Sequence, residues 1–360
     1  MSLRMTSLAL LAFASLVNAV NQPALAGKLT KQTVIASWEP SARAISSIQD
    51  ARELLNESRY ITATGNEQNT VEQFILSMKQ SSNTLSASQT IELALLEARF
   101  LQGIHQFEAA KQRLNNIEAF RIPSAQLLLA DIAIQQGDVA KAKTHCQQLV
   151  GQTSYIVSFT CLLNAEFTAN PTQSTYEKLK QLKRFAKSIP QKEQGWFQET
   201  LAAMALSLGN ADASVKHLSA HPTDALPISA LIIWADANIA LSQYENVITV
   251  FSRLAREKDT LDDAVLLRWA HALKLHGTED NAVSDALEQR MKVRTWREDS
   301  SHAGQVALYY LDIMPNPRLA LKFAEINWAH AKTPSDKRIL ERAHHANNQS
   351  LHASNTTDAR

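Results

Sequence analysis

From about Ser41 onward, apolar residues recur three and four positions apart, and no stretch alternates for long. That period puts apolar side chains on one stripe of an α-helix, so the pattern predicts an all-α chain. The helices come in pairs. ELALLEARFLQ, AQLLLADIAIQQ, FQETLAAMALSL and ALIIWADANIALS each precede a second amphipathic segment: QFEAAKQRL (106–114), GDVAKAKTHCQQL (137–149), GNADASVKHL (209–218) and QYENVITVFSRL (243–254). A small residue sits near the centre of each first helix. The aligned series is Ala98, Ala130, Cys161, Ala202, Ala235, Ala270 and Ala307, with successive spacings of 32, 31, 41, 33, 35 and 37. A small side chain there lets the two antiparallel helices of a hairpin approach closely. The large residue before it fills the gap toward the neighbouring hairpin, which assigns Trp234 and Trp269 to the core. Ala110, Ala142 and Ala282 are expected to mark the crossing on the second helices.

Turn residues punctuate the pairs. Gly137-Asp138 and Gly209-Asn210 supply hairpin turns, whereas Ser242-Gln243-Tyr244 lacks the glycine. Thr168 to Thr172 is irregular because Pro171 interrupts it. The 41-residue step implies a longer hairpin, with Lys178–Lys192 as its basic second helix and loop. A period near ~34 residues resembles that of tetratricopeptide helix hairpins. The resemblance covers roughly residues 41–347 and implies an α-solenoid of stacked antiparallel hairpins. A single hairpin cannot bury both of its faces, so stacking is required.

Residues 302–343 carry a narrower resemblance. His302, Asn316-Pro317, Ala320-Leu321, Asn327-Trp328 and Pro334-Ser335-Asp336 are similar to the ending of secreted tetratricopeptide proteins of proteobacteria, a family of poorly defined function. Those proteins place acidic residues soon after the histidine, where this chain has Ala303-Gly304-Gln305. The resemblance implies a fold and a compartment rather than an activity. Residues 348–360 are polar and are expected to form a disordered tail.

The first residues read as a targeting signal. Arg4 precedes the uncharged stretch Leu8–Val17, and two small-residue cleavage patterns follow, Val17-Asn18-Ala19 and Ala24-Leu25-Ala26. Ten apolar residues are too few for the ~20 that span a bilayer. Cleavage is expected after Ala26, with Ala19 as the alternative, because the Ala19 site leaves almost no polar spacer. Residues 1–26 would then be removed, 360 − 26 = 334 would remain, and 27–40 would be a linker. No cysteine near either site offers a lipid attachment, and no later apolar run is long enough for stable membrane insertion. The expected destination is the periplasm.

Composition narrows the functional classes. Lys and Arg sum to 36 and Asp and Glu to 35, a net charge of +1, so no nucleic-acid partner is expected. Nine glycines in 360 residues argue against a glycine-lined cofactor site. Metal-protease, nucleophile-elbow, phosphate-loop and dinucleotide motifs are lacking, and neither a cofactor nor a metal is expected. His344, His345 and His352 read as surface residues, and Glu166, Glu177, Glu193 and Glu199 as scattered acids without paired spacing. The 178–192 segment, with five Lys, one Arg and Phe185, reads as a solvated face, its other reading being contact with an anionic polymer or partner. The two cysteines, Cys146 and Cys161, fall on facing positions of adjacent hairpins and are expected to form a disulfide.

Repeat register also selects an inner face. Residues one after, four after and three before the small position give Arg99, Gln102, Asp131, Ile134, Glu199, Ile232, Asp236, Ile239, His271 and Lys274. That mixture of charged and apolar side chains suits binding of an extended peptide or a helix better than transition-state stabilisation. The expected function is a non-enzymatic periplasmic scaffold that binds a protein or peptide partner in envelope assembly, secretion or maturation of an exported protein. The alternative is a cell-wall enzyme or polysaccharide-binding factor built on the same helical body.

Overall fold

A computed structural model describes residues 45–357, apart from 62, 64, 65, 81–84, 118–120, 257–260 and 299. The expected signal peptide, both cleavage sites, the 27–40 linker and the last three residues lie outside the described residues. Among the described residues the protein is an all-α helical repeat. Eight hairpins follow in order. They are α1 (Ile48–Glu57) with α2 (Glu67–Gln80), α3 (Ala87–Gly103) with α4 (Phe107–Asn115), α5 (Pro123–Gln135) with α6 (Val139–Gln148), and α7 (Tyr155–Ala169) with α8 (Gln173–Gln181). After a 3-10 segment at Leu182–Ser188 come α9 (Gln191–Ser207) with α10 (Ala211–Leu218), α11 (Ile228–Ala240) with α12 (Tyr244–Arg256), and α13 (Asp263–His276) with α14 (Asn281–Arg297). The last pair is α15 (Ala303–Leu308), extended by a π-helical turn at Tyr309–Ile313, with α16 (Pro317–His330). The final helix, α17, runs Pro334–Thr357.

Each first helix touches its own second helix and the first helix of the next hairpin, from α1 against α3 through to α13 against α15. The seven aligned small residues are all buried, and Ala98, Ala130, Ala202, Ala235 and Ala307 are fully so. The crossing on the second helices holds for Ala110 and Ala142 but not for Ala282, which is exposed. The next residue, Val283, is buried instead. Asp280 caps α14 through the Val283 amide, and this start turns the helix so that Val283 faces inward. Trp269 is buried, whereas Trp234 is half-buried and packs edge-on against Phe251 at 6.3 Å.

Local chemistry sets the helix ends. Ser47, Asp138, Ser154, Thr172, Asn210, Asp262, Asp280 and Asn316 each accept a backbone N–H with the side chain, filling an orphan donor of the first turn. Five hairpin turns share one geometry. The amides of Gln106, Asp138, Asn210, Gln243 and Thr278 donate to Leu101, Ala133, Ala205, Asn238 and Leu273 carbonyls at 2.8–3.0 Å. The residue before each of these amides has positive φ: Gly137, Gly209 and Gly277, but also His105 and Ser242, both at 59°. The two non-glycine turns keep the repeat geometry at a steric cost that glycine avoids. The irregular hairpin differs as expected: α7 ends at Asn170 in extended conformation, and α8 starts at the Thr172 cap.

The expected tail is helix instead: α17 continues to Thr357. No Pro or Gly lies between Pro334 and Arg360 to stop it. The joint before α17 explains the motif at the end of the chain. Asn327 Nδ2 donates to Asp336 Oδ1 at 2.8 Å, and Asp336 also accepts the Thr333 amide at 2.9 Å and its hydroxyl at 2.6 Å. A Cβ at Gly304 would lie 3.0 Å from Asn327 Oδ1, so glycine at 304 leaves room for that side chain.

The two cysteines are paired. Cys146 on α6 and Cys161 on α7 lie at disulfide distance, with Cα atoms 5.5 Å apart, inside a small cluster with Ala130 and Leu149. A structural bridge closing about 15 residues adds roughly 3 kcal/mol in the chain-entropy model. Thiol titration of the denatured, unreduced protein is expected to find no free thiol. The Cys146→Ser, Cys161→Ser double variant should melt at lower temperature with its helical signal retained, since the flanking hairpins bury the same faces.

Candidate functional site

The ten inner-face candidates separate into two groups. The first is a polar cluster assembled from α3, α5 and α9. Gln102 and Gln135 each donate to Asp131 Oδ2 at 2.9 Å. Asp131 also faces Arg99, and both face Arg59 and Glu199 electrostatically. Arg59 comes from the segment after α1, more than a hundred residues from Glu199 in sequence. Its placement has a backbone cause: the Arg59 carbonyl accepts the Ile228 amide at 2.8 Å, and Tyr60 pairs with Pro227 in an antiparallel bridge. Ile61 is buried beside Leu226 and Ala230, which anchors that segment with apolar area. Lys192 Nζ donates to Asn56 Oδ1 at 3.3 Å, so the start of α9 also meets the end of α1.

Burial dominates the titration of this cluster. It pushes the Asp131 and Glu199 carboxyls above their ordinary range, with Arg99 and Arg59 opposing, joined by Gln135 at Asp131 and a Ser229 hydrogen bond at Glu199. Burial likewise lowers Lys192, helped by Arg59, Arg99 and Arg52. Ile134, expected to face the groove, is buried with Ala133, Ala142 and Ala165 and contributes packing there. It sits one turn past Ala130, where α5 meets α6 and α7.

The second group lies on α11 and α13 and already has occupants. Arg268 grips Asp236 with two hydrogen bonds, at 2.9 and 3.1 Å. Lys274 Nζ donates to the Asp312 and Ile313 carbonyls at 2.8 and 2.9 Å, capping the π-helical turn. Ile239 packs on the large C-terminal core, and Ile232 is half-buried. Burial lowers His271, with Asp312 opposing and Arg342 reinforcing.

Helix α17 runs past this second group. The Lys332 amide before it donates to the Gln135 carbonyl of α5 at 2.7 Å. Arg338 donates to Ser207 Oγ at the end of α9 at 2.7 Å and faces Asp236 of α11. Arg342 pairs with Asp312 and faces His271 of α13. In chain order, Lys332 reaches α5, Arg338 reaches α9 and faces α11, and Arg342 reaches the π-helical turn and faces α13. The inner row is engaged at one end by the Arg59 segment and at the other by α17. Sequence reasoning missed both, because neither the Arg59 strap nor the two α17 arginines follow the repeat period.

Several polar residues outside the inner face are structural. Glu97 bridges Lys79 of α2 at 2.9 Å and Arg113 of α4 at 3.0 Å. Asp263 holds Arg290 at 3.0 Å and Arg294 at 3.1 Å, tying α13 to α14. Tyr176 and His217 share a 2.8 Å hydrogen bond between α8 and α10. Burial, with Lys183 and Lys180 nearby, lowers His217 to about 4. His145, next to Cys146, bonds Gln126 at 2.8 Å. No group of three or more His, Cys, Asp or Glu among the described residues could hold a metal. No helix among them is long and apolar enough to cross a membrane. Comparison with family models, curated proteins and solved structures gives no match.

The shifted groups set opposing pH dependences. Glu199 and Asp131 bind protons more readily folded than unfolded, so their contribution to stability rises as pH falls through their raised titrations. His217 binds its proton less readily folded, so its contribution is present above pH 6.5 and is lost as pH falls toward 4. Glu199→Gln is expected to raise the melting temperature at pH 8 and to lose that advantage on acidification. His217→Gln should flatten the decline between pH 6.5 and 4. Thermal melts across this range check both; an unaltered pH profile in either variant contradicts the assignment.

Proposed function

We propose that the protein is a helical-repeat scaffold that binds a helical or extended segment of a protein partner along its inner row of first helices. One observation carries this reading: Arg338 and Arg342 of α17 reach Ser207 at the end of α9 and Asp312 of the π-helical turn, so side chains of one helix are held by polar groups of several repeats. A surface that seats a helix by a few polar anchors over alternating apolar and polar positions suits recognition of amphipathic segments. The resemblance to tetratricopeptide proteins and the signal-like N-terminus support a periplasmic setting, in which the partner is another exported protein. The residues assigned to contact are Gln102, Asp131, Glu199 and Ile232, with Arg59 and Arg99 setting the local charge.

A photo-crosslinking residue at Gln102 or Ile232 is expected to capture a partner of one defined mass in intact cells. The same residue at Lys141, on the far side of a second helix, should not. Periplasmic extraction should yield a chain whose intact mass fits 334 residues. Crosslinking that is equal at all three positions, or absent at the inner two, would refute the reading.

A further inference from the structure

The basic stretch that follows α8 does not serve the inner row. Its 3-10 segment packs against α7 and presents Lys183, Arg184, Phe185 and Lys187 to solvent. On α7, Tyr155 and Phe159 lie four residues apart, on one face, and are each 46% exposed. Phe185 is 40% exposed and meets the Tyr155 ring edge-on at 5.7 Å. Val150, in the turn before α7, is exposed as well. The two elements thus form one continuous patch of protruding rings.

The stretch that carries Phe185 holds charge of one sign. Residues 178–192 contain no Asp or Glu. Lys178 pairs with Glu166 and Lys180 with Glu177. Among the described residues, no carboxylate lies within ion-pair distance of Lys183, Arg184 or Lys187. The Arg184 guanidinium sits 4.6 Å from the Phe185 ring centre, which places charge and ring at the same level of the surface. The balanced charge of the whole chain conceals this local excess.

We infer that the Tyr155–Phe159–Phe185 patch with Lys183, Arg184 and Lys187 is a docking surface for an anionic phospholipid bilayer. Aromatic rings flanked by Lys and Arg at one level match a membrane interface, where rings enter the headgroup region and the cations meet lipid phosphates. A bilayer yields around protruding rings, whereas a protein partner or a polysaccharide would need a shaped groove to take them. With three rings and three cations, the expected attachment is peripheral and reversible. It would hold the scaffold at a membrane surface.

Co-sedimentation of the full chain with vesicles tests this. Binding is expected to phosphatidylglycerol–phosphatidylcholine vesicles, weakening with salt, and not to phosphatidylcholine alone. Lys183→Glu with Lys187→Glu should lower the partition coefficient about tenfold or more. Phe159→Ser with Phe185→Ser should lower it to a similar extent, both pairs retaining the parent helical signal because the sites are exposed. Equal binding to neutral vesicles, or no binding, would overturn the proposal. A loss confined to the lysine variants, with the phenylalanine variants binding like the parent, would also overturn it, indicating a soluble polyanion as the ligand.

Discussion

Two antiparallel helices approach closely only where one of them carries almost no side chain, and this chain meets that requirement once in every first helix from α3 to α15. Ala98, Ala130, Ala202, Ala235 and Ala307 are fully buried at those crossings, and Cys161 and Ala270 nearly so. A larger residue at any of them would force the hairpin apart, at about 1–3 kcal/mol for each overpacked site. The crossing also fixes the rotation of the helix. Once the alanine faces its partner, the residue after it turns away from that crossing, while Ile134, a turn past Ala130, still packs against Ala133, Ala142 and Ala165. That is how Arg99 and Asp131, each following its small residue directly, come within electrostatic reach of each other, as do Asp236 and His271.

A polar inner row has its own requirement, since desolvated charges need partners. The chain meets it from its own ends. The segment after α1 lays Arg59 against Arg99, Asp131 and Glu199, fixed by one backbone pairing to α11 and by burial of Ile61. At the other end, α17 supplies Arg338 and Arg342. Partly compensated charge of this kind stabilises little by itself. Under the proposed function its value would lie in specificity, because an incoming segment would have to satisfy the same groups.

The helical class, the hairpin boundaries and the small-residue register were legible because they follow a local period that packing enforces. The Cys146–Cys161 pairing was legible for the same reason, its two positions facing each other by register. What escaped the period escaped detection. His105 and Ser242 adopt the left-handed turn without glycine, and the φ of a non-glycine residue leaves no composition signal. Ala282 gave way to Val283 because the Asp280 cap set the start of α14. The Arg59 strap and the course of α17 depend on where distant repeats arrive in space, which is a property of the accumulated hairpin geometry. The polar residues 348–357 look like a tail by composition, yet nothing in them breaks a helix.

Helix α17 places Arg338 beside Ser207 at the end of α9 and Arg342 beside Asp312 of the π-helical turn. Thiol-specific crosslinking tests this placement directly, in a Ser207→Cys, Arg338→Cys variant whose native cysteines stay protected in their disulfide. With a short bifunctional reagent, peptide mapping is expected to find residues 207 and 338 joined within one chain. An absence of that link, or a link found only between two copies, would contradict the account.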